Sequence, residues 1–234
     1  MRLTRDILAA NVRRYFRALA RNILLHPFIV LCYKVTEIGK AHALVGTQNV
    51  IFVMNHESSL DGPLLTDVLW SHSHIRGLVW HEEWRQPHKR ITLSLFDAIV
   101  AGSPKHLPLT ERHKRRKLTI ESMIQTLTNG DSVAICPEGS IGDGKAVSIP
   151  AHYRGVHDVI SAHPETPVIL VTLEGLDASY FGKSPHKPKW SIRRLPISVH
   201  FQRVDNVSTR GGTACLNRRL EQYWNDNIPL EVAN

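Results

Sequence analysis

His56 and Asp61 are the residues of this sequence whose types and spacing most clearly suggest chemistry. They lie in "VIFVMNHESSLDGPLL", residues 50–65, where a hydrophobic run breaks into polar residues. An aspartate that accepts a hydrogen bond from one imidazole nitrogen fixes the tautomer and leaves the other nitrogen as a general base. The spacing therefore predicts a catalytic histidine–aspartate pair, if the chain folds back between the two residues.

The elements around this pair must bring it together. The run before Asn55 is typical of a buried strand, and Ser58 or Ser59 is placed to cap a following helix, with Asp61 in its first turn facing back to the strand. Open α/β sheets bind ligands at the carboxyl ends of their strands. We therefore expect a site at the end of this strand.

No protein nucleophile accompanies the pair. The sequence has no GxSxG elbow, and none of its three cysteines is beside a histidine. A substrate hydroxyl deprotonated by His56 can attack an activated acyl carbon directly, without an acyl-enzyme. The alternative is that His56 is an ordinary residue of a helix-capping loop.

Strand-like and helical patterns alternate from residue 49 onward. The strand patterns cover 49–55, 75–80, 132–137, 167–175 and 196–204, with a further apolar patch at 98–102, and the helical patterns cover 61–72, 83–95, 112–128 and 209–225. A segment at 151–162 separates two of the strands. This alternation predicts an α/β fold in which helices flank a central mixed, largely parallel sheet. We expect residues 41–234 to form a single catalytic domain.

The N-terminal region has the pattern of a membrane-associated helix. Arg13, Arg14, Arg17 and Arg21 lie opposite an apolar stripe, which suits a helix in the interface of an anionic bilayer with its charges at headgroup level. The stripe consists of Leu8, Val12, Tyr15, Phe16, Leu19 and Ile23. The next apolar segment is shorter than the roughly 20 residues that span a bilayer. Residues 1–40 are therefore predicted to be a pair of membrane-anchoring helices on the cytoplasmic face, the alternative being helices that pack only on their own domain.

The composition limits the partners. A net charge of +8 predicts attraction to phosphate groups and anionic membrane surfaces. Three widely spaced cysteines argue against a disulfide scaffold or a structural zinc site and favour a reducing compartment. No metal-binding motif surrounds the 14 histidines, so neither a metal nor a cofactor is expected.

Three segments together resemble the glycerolipid acyltransferases, the family of 1-acylglycerol-3-phosphate acyltransferases. They are "NHESSLD" at 55–61, "CPEGS" at 136–140 and "TPVILV" at 166–171, in the family's order. The resemblance implies acyl transfer from acyl-CoA or acyl carrier protein to a lysolipid hydroxyl, with His56 and Asp61 catalytic. It also implies that substrate-binding residues include Asn55, Glu138, Gly139 and Ser140.

The sequence departs from the family pattern after the glutamate. The family normally continues with threonine and arginine, whereas Ser140 and Ile141 stand here, so an expected phosphate-binding charge is missing. Lys145 or Arg154 is placed to replace it, unless both are ordinary surface charges, and Arg112 is a further candidate phosphate ligand. The acceptor is therefore either a phosphate-bearing lysolipid or a different, non-phosphate lipid.

Two segments have features of other functions. "GSIGDGK" at 139–145 satisfies the GxxxxGK spacing of a nucleotide-binding loop, but Ala146 stands where a Ser or Thr would hold magnesium and Pro150 interrupts the required helix. The basic run at 112–117 permits a non-catalytic basic membrane-binding module. Because no aromatic residues are interleaved with that run, no nucleic acid partner is expected.

Overall fold

The computed structural model describes residues 12, 15–72, 74–102, 107–143, 146–183 and 194–230, with only the backbone described at 88, 91, 92 and 95. The strands are β1 (Tyr33–Ile38), β2 (Ile51–Met54), β3 (Ile75–Trp80), β4 (Ile99–Ala101), β5 (Ser132–Ile135), β6 (Val168–Glu174) and β7 (Leu195–Val204). In these ranges the seven strands form one sheet in the order β1-β7-β6-β2-β5-β3-β4.

The strand directions decide where polar residues meet. Strands β2 to β6 run parallel to one another, β7 is antiparallel to β6, and β1 is parallel to β7. The predicted mixed, largely parallel α/β fold is confirmed. Because β2 and β5 are parallel neighbours at the centre of the sheet, the residues that follow them lie at the same edge.

Helices cover both faces of the sheet. They are α1 (His26–Cys32), α2 (Lys40–Ala43), α3 (Asp61–Val68), α4 (His81–Trp84), α5 (Pro87–Leu95), α6 (Leu109–Thr128), α7 (Gly155–Ala162) and α8 (Gly212–Asp226). Phe52 and Met54 pack on the side of α1 and α3, and Ile51 and Val53 pack on the side of α6, α7 and α8. Alternate residues of a strand point to opposite faces, so a strand that is covered on both faces is hydrophobic throughout.

Residues 15–32 form the N-terminal helix, which lies along α3. It consists of a helical stretch at 15–20, a π-helical turn at Arg21–Leu25 and α1. A π-helix bonds residues five apart, which brings Arg21 and His26 to the same side. Both reach Asp67 near the end of α3, with Arg21 Nε 2.6 Å from Oδ1 and His26 Nδ1 3.0 Å from Oδ2. These contacts dock the helix on the domain.

The apolar stripe of the N-terminal helix faces away from the protein. The stripe comprises six side chains with exposed fractions from 41% to 71%, of which the first four were predicted: Tyr15, Phe16, Leu19, Ile23, Leu24 and Leu31. Val12 of the predicted set is 45% exposed, and Leu8 lies outside the described residues. Among the described residues, no helix is long and apolar enough to cross a bilayer.

Two of the four arginines predicted to lie at headgroup level are found elsewhere. Arg17 and Arg21, expected at headgroup level, instead bind acids of the domain, since Arg17 Nη1 is 2.7 Å from Asp97 and Arg21 binds Asp67. The reason is that a buried carboxylate such as Asp67, with 6% of its side chain exposed, is costly to leave without a partner, and Arg21 supplies one from the neighbouring helix. Arg13 and Arg14 lie outside the described residues.

Residues 33–38 also differ from expectation. They were expected to belong to the membrane-anchoring helices, but they form β1, which pairs with β7 from Tyr33 opposite Leu195 to Ile38 opposite His200. β-Branched Val35 and Thr36 fit a pleated, partly buried strand. The sheet therefore begins directly after α1 ends at Cys32.

Candidate active site

The His56 and Asp61 side chains are in contact at the carboxyl end of β2. His56 Nδ1 donates a hydrogen bond to Asp61 Oδ2 over 2.7 Å. Asp61 is 1% exposed, whereas 23% of the His56 side chain is exposed. Because a carboxylate only accepts, the proton of the neutral imidazole lies on Nδ1 and the lone pair of Nε2 is available to a substrate.

The loop between these residues is organised around the Asp61 carboxylate. It accepts hydrogen bonds from the backbone N–H of Glu57 at 2.8 Å, the backbone N–H of Ser58 at 3.0 Å and the Ser58 hydroxyl at 3.0 Å. The expected capping of α3 by Ser58 or Ser59 is absent, since the first turn has no side-chain cap and Ser58 Oγ accepts from Leu60 N instead. Asp61 is thus fixed by donors other than His56.

Glu138 lies in the loop after the neighbouring strand β5 and binds the backbone of His56. The His56 N–H donates to Glu138 Oε1 over 2.7 Å, and the N–H of Gly142 donates to the His56 carbonyl over 2.7 Å. Burial raises the pKa of Glu138 to about 7, against the opposing effect of the hydrogen bond from His56. The loop after β5 therefore fixes both backbone groups of the histidine.

Asn55 joins two strands. Its side-chain N–H donates to the Leu173 carbonyl over 2.9 Å, and its side-chain oxygen accepts from the Leu173 N–H over 2.7 Å. With 7% exposure, this amide acts as one further rung between the ends of β2 and β6. Asn55, expected to bind substrate, has both its polar atoms bonded to backbone, and its substrate-binding role stays a prediction.

Glu57 is a site residue that the sequence reasoning missed. Its Oε2 accepts from the backbone N–H groups of Leu176 at 2.8 Å and Asp177 at 3.2 Å, and burial raises its pKa to about 7. These bonds attach the loop at 175–183 to the histidine loop. The only sequence signal was an acidic residue directly after the histidine.

Gly139 and Ser140 follow Glu138 at the surface. Gly139 has φ of +68°, and a Cβ there would lie 2.4 Å from the Tyr153 ring. Glycine is thus required both by the left-handed backbone and by the close approach of Tyr153. Ser140 is exposed beside it, so both residues lie at the surface in the loop whose Glu138 and Gly142 hold the His56 backbone.

Two of the three candidate phosphate ligands, Arg112 and Arg154, lie on the surface. Arg154 is 56% exposed and binds Asp158 over 3.1 Å. Arg112 is exposed in the first turn of α6. In the part of the chain that the structure describes, no side-chain hydrogen bond or ion pair joins either arginine to the residues around His56. Lys145 lies outside the described residues.

Cys136 directly follows β5 and is not activated as a nucleophile. Burial raises the pKa of the Cys136 thiol well above its usual value, and the charges of Asp61 and Glu138 raise it further, so the thiol stays protonated.

Across the described ranges, no group of three or more His, Cys, Asp or Glu side chains is arranged to hold a metal ion. The first described helix after the 139–145 segment begins at Gly155, which does not fit a nucleotide-binding loop.

A family model described as Acyltransferase matches residues 33–174, which is more than half of the chain. The protein belongs to the Acyltransferase family. The match includes all three segments on which the resemblance to glycerolipid acyltransferases rested, and that resemblance is confirmed. The enzyme is therefore an O-acyltransferase, and its His56, Asp61 and Glu138 all lie inside the matched range.

Solved structures show the same fold. The crystal structure of the 1-acyl-sn-glycerophosphate (LPA) acyltransferase PlsC from Thermotoga maritima matches this acyltransferase with a TM-score of 0.64 and 19% sequence identity. The alignment covers 96% of this chain and 84% of that chain. Among curated proteins, none matches the chain by sequence.

Proposed function

We propose that this acyltransferase moves a fatty acyl group from the thioester of acyl-CoA or acyl carrier protein to the hydroxyl of a lysolipid such as 1-acylglycerol-3-phosphate. His56 is the general base and Asp61 orients it. The observation that carries the proposal is the His56–Asp61 hydrogen bond, which leaves Nε2 free at a partly exposed ring. The name of the structural neighbour, an acyltransferase for 1-acyl-sn-glycerophosphate, supports the choice of acceptor.

The proposed reaction proceeds without a covalent enzyme intermediate. His56 Nε2 takes the proton of the acceptor hydroxyl as its oxygen attacks the thioester carbonyl carbon. The tetrahedral adduct collapses, the carbon–sulfur bond breaks, and the imidazolium returns the proton to the leaving thiolate. Asp61 stabilises the imidazolium through Nδ1 during this cycle. The protonated state of Cys136 supports direct transfer, because a neutral buried thiol is a poor nucleophile.

Glu138, Gly139 and Ser140 border the acceptor side in this proposal. Glu138 sets the orientation of His56 through the backbone, and the acceptor headgroup lies against the exposed backbone at Gly139 and Ser140. Arg112, Lys145 and Arg154 remain candidates for contact with its phosphate. A family member that acts on a non-phosphate lipid is the alternative, whereas the family match removes the non-catalytic basic module from consideration.

A transfer assay tests the proposal. Labelled acyl-CoA and acyl carrier protein are offered with lysolipids that carry or lack a phosphate, and His56→Ala is compared with His26→Ala, a second histidine bound to an aspartate. We expect transfer that is lost in His56→Ala and retained in His26→Ala. Near-normal turnover by a folded His56→Ala enzyme would rule out the mechanism, and transfer only to neutral lipids would select the alternative acceptor.

We also propose that the enzyme binds the cytoplasmic face of the membrane peripherally through the apolar stripe. Outward-facing Leu24 and Leu31, 69% and 71% exposed, support this surface. Replacing both with glutamate is expected to weaken flotation with anionic vesicles by about tenfold or more. The matched control is Val45→Glu, which alters a residue that is 67% exposed outside the N-terminal helix. Equal flotation of the Leu24/Leu31 double variant and the wild type would place the membrane contact elsewhere.

A further inference from the structure

One peptide group beside His56 connects the histidine to a lysine of another loop. The Gly142 N–H donates to the His56 carbonyl over 2.7 Å, and the carbonyl of Ile141, in the same peptide group, accepts from Lys183 Nζ over 2.8 Å. Because a peptide group is rigid and short, the Lys183 ammonium lies at most about 8 Å from the His56 carbonyl oxygen. A side-chain cation therefore stands close to the backbone of the residue that carries the proposed base.

The loop that carries Lys183 is fixed at several points. Leu176 and Ser179 are fully buried, and Glu57 accepts from the backbone at the start of the loop. At its end, Gly182 pairs with Ser58 of the histidine loop, and a Cβ at Gly182 would lie 2.1 Å from the Asp177 carbonyl. The backbone next to Lys183 is thus held against the same loop that carries His56.

The Lys183 ammonium retains binding capacity. An ammonium has three N–H donors, and one of them is used by the Ile141 carbonyl. No carboxylate of the described residues forms an ion pair with it, in contrast to Arg154, which Asp158 neutralises. An exposed cation of this kind is suited to the doubly charged oxygens of a phosphate monoester.

We propose that Lys183 binds the phosphate of the acceptor and so directs the acceptor hydroxyl to His56 Nε2. The inference rests on the proposed function and names the residue that selects a phosphate-bearing lysolipid. Lys183 donates to the carbonyl of Ile141, the residue that stands where the family arginine was expected, so a cation from the second loop occupies this region. The acyl donor also carries phosphates when it is acyl-CoA, and the test separates the two sources.

Steady-state kinetics with Lys183→Met and Lys183→Arg test the assignment. Loss of a charge-assisted contact is expected to raise the KM for 1-acylglycerol-3-phosphate by about tenfold or more in Lys183→Met. Lys183→Arg is expected to stay within about threefold of the wild type because it retains the charge. Transfer to monoacylglycerol and the KM for acyl-CoA should change little. Arg218→Met, which removes an exposed charge from α8, is the matched control and should match the wild type.

Three kinetic outcomes would overturn the inference. The first is an unchanged KM for the phosphate acceptor in Lys183→Met. The second is an equal rise of the KM for monoacylglycerol in Lys183→Met, which would indicate a general structural effect. The third is a rise of the KM for acyl-CoA alone in this variant, which would assign the contact to the donor. In that first case, a KM for the phosphate acceptor that rises in Arg112→Ala or Arg154→Ala would assign the phosphate contact to that arginine.

Binding without turnover separates the lysine assignment from the proposed function. Glycerol 3-phosphate is titrated calorimetrically into His56→Ala and into the His56→Ala/Lys183→Met double variant. We expect the Kd to be weaker by about tenfold or more in the double variant. Equal affinities, or no binding to His56→Ala, would overturn the inference. If binding depends on Lys183 while the wild type transfers no acyl group, the proposed function fails and the phosphate site stands.

Discussion

Helix α3 holds a buried aspartate near each end, and each aspartate binds a histidine through Nδ1. At the start, Asp61 lies 2.7 Å from His56, and near the end, Asp67 lies 3.0 Å from His26. The two carboxylates are similarly buried, with 1% and 6% of their side chains exposed. Distance and burial alone therefore do not distinguish a catalytic pair from a structural one.

The other partners of the two aspartates differ. Asp67 also binds Arg21, whose guanidinium lies 2.6 Å away, so its charge is neutralised by a permanent cation. Apart from the hydrogen bond from His56, the Asp61 carboxylate accepts hydrogen bonds from backbone N–H groups and a hydroxyl. These donors orient the carboxylate without adding a full positive charge. Only at Asp61 is the full negative charge available to stabilise an imidazolium. The comparison shows that the rest of the donor set decides what a histidine–aspartate contact can do.

The largest expected difference between the two ends is catalytic. His56→Ala and Asp61→Asn are each expected to lower kcat by about a thousandfold or more, because the base or its orienting partner is lost. His26→Ala should leave kcat within about threefold of the wild type. The measurement is steady-state transfer by enzymes whose circular dichroism matches that of the wild type. A comparable loss in His26→Ala would remove the distinction drawn between the two pairs.

The second expected difference concerns stability at the other end of α3. Asp67→Asn leaves Arg21 partly buried without its carboxylate and should lower the free energy of unfolding by about 2 kcal/mol. Urea denaturation followed by circular dichroism measures this loss. Turnover with a water-soluble short-chain acceptor should remain within about threefold of the wild type. Unchanged stability would show that the ion pair does not hold the N-terminal helix in place.

The third prediction concerns how the stability of the site near Asp61 depends on pH, through Glu138. The pKa of Glu138 is raised from its ordinary 4.5 to about 7, so the folded protein favours its protonated form. This group adds stability that is complete below pH 4.5 and is lost as pH rises through about 7.

Glu138→Gln, which cannot ionise, should therefore lose the part of this pH dependence that Glu138 contributes. The stability of the wild type relative to Glu138→Gln is expected to fall by about 1 kcal/mol between pH 5 and pH 8, after allowance for the solvent near the carboxylate. Urea midpoints at a series of pH values measure the difference. A constant difference over this range would contradict the raised pKa.

The smallest effect is expected for Arg21→Lys. The lysine keeps the charge opposite Asp67 but loses the guanidinium that lies over the Trp70 ring at 5.7 Å. A loss of about 0.5 kcal/mol in the free energy of unfolding is expected. The same denaturation experiment detects it, with Asp67→Asn as the reference. A loss as large as that of Asp67→Asn would show that guanidinium geometry, rather than charge, holds the helix.

Local sequence patterns were sufficient to predict most of the fold. Buried parallel strands such as β2 are hydrophobic throughout, and the spacing between His56 and Asp61 is short enough for one loop to close, so both were readable. Strand β1 was missed because it follows α1 without a turn signal and is polar on its exposed side. Its place in the sheet depends on β7, more than 150 residues later in the chain.

The remaining site residues depend on contacts between distant segments. Glu57 and Lys183 acquire their positions from the 175–183 loop and the loop after β5, and no spacing within one segment predicts such contacts. The orientation of Arg17 and Arg21 likewise depends on Asp97 and Asp67 of the domain. A helical stripe shows which residues share a face, but whether that face points inward or outward is decided by the partners.

The π-helical turn at Arg21–Leu25 makes the length of the N-terminal helix critical. Deleting one residue there would restore α-helical spacing and rotate the preceding segment by about 100 degrees relative to α1. Arg17 would then leave Asp97, and Tyr15, Phe16 and Leu19 would no longer continue the face formed by Leu24 and Leu31. Substitutions among apolar residues preserve this alignment, whereas a single insertion or deletion destroys it. Natural variants of this region should therefore differ in residue type far more often than in residue number.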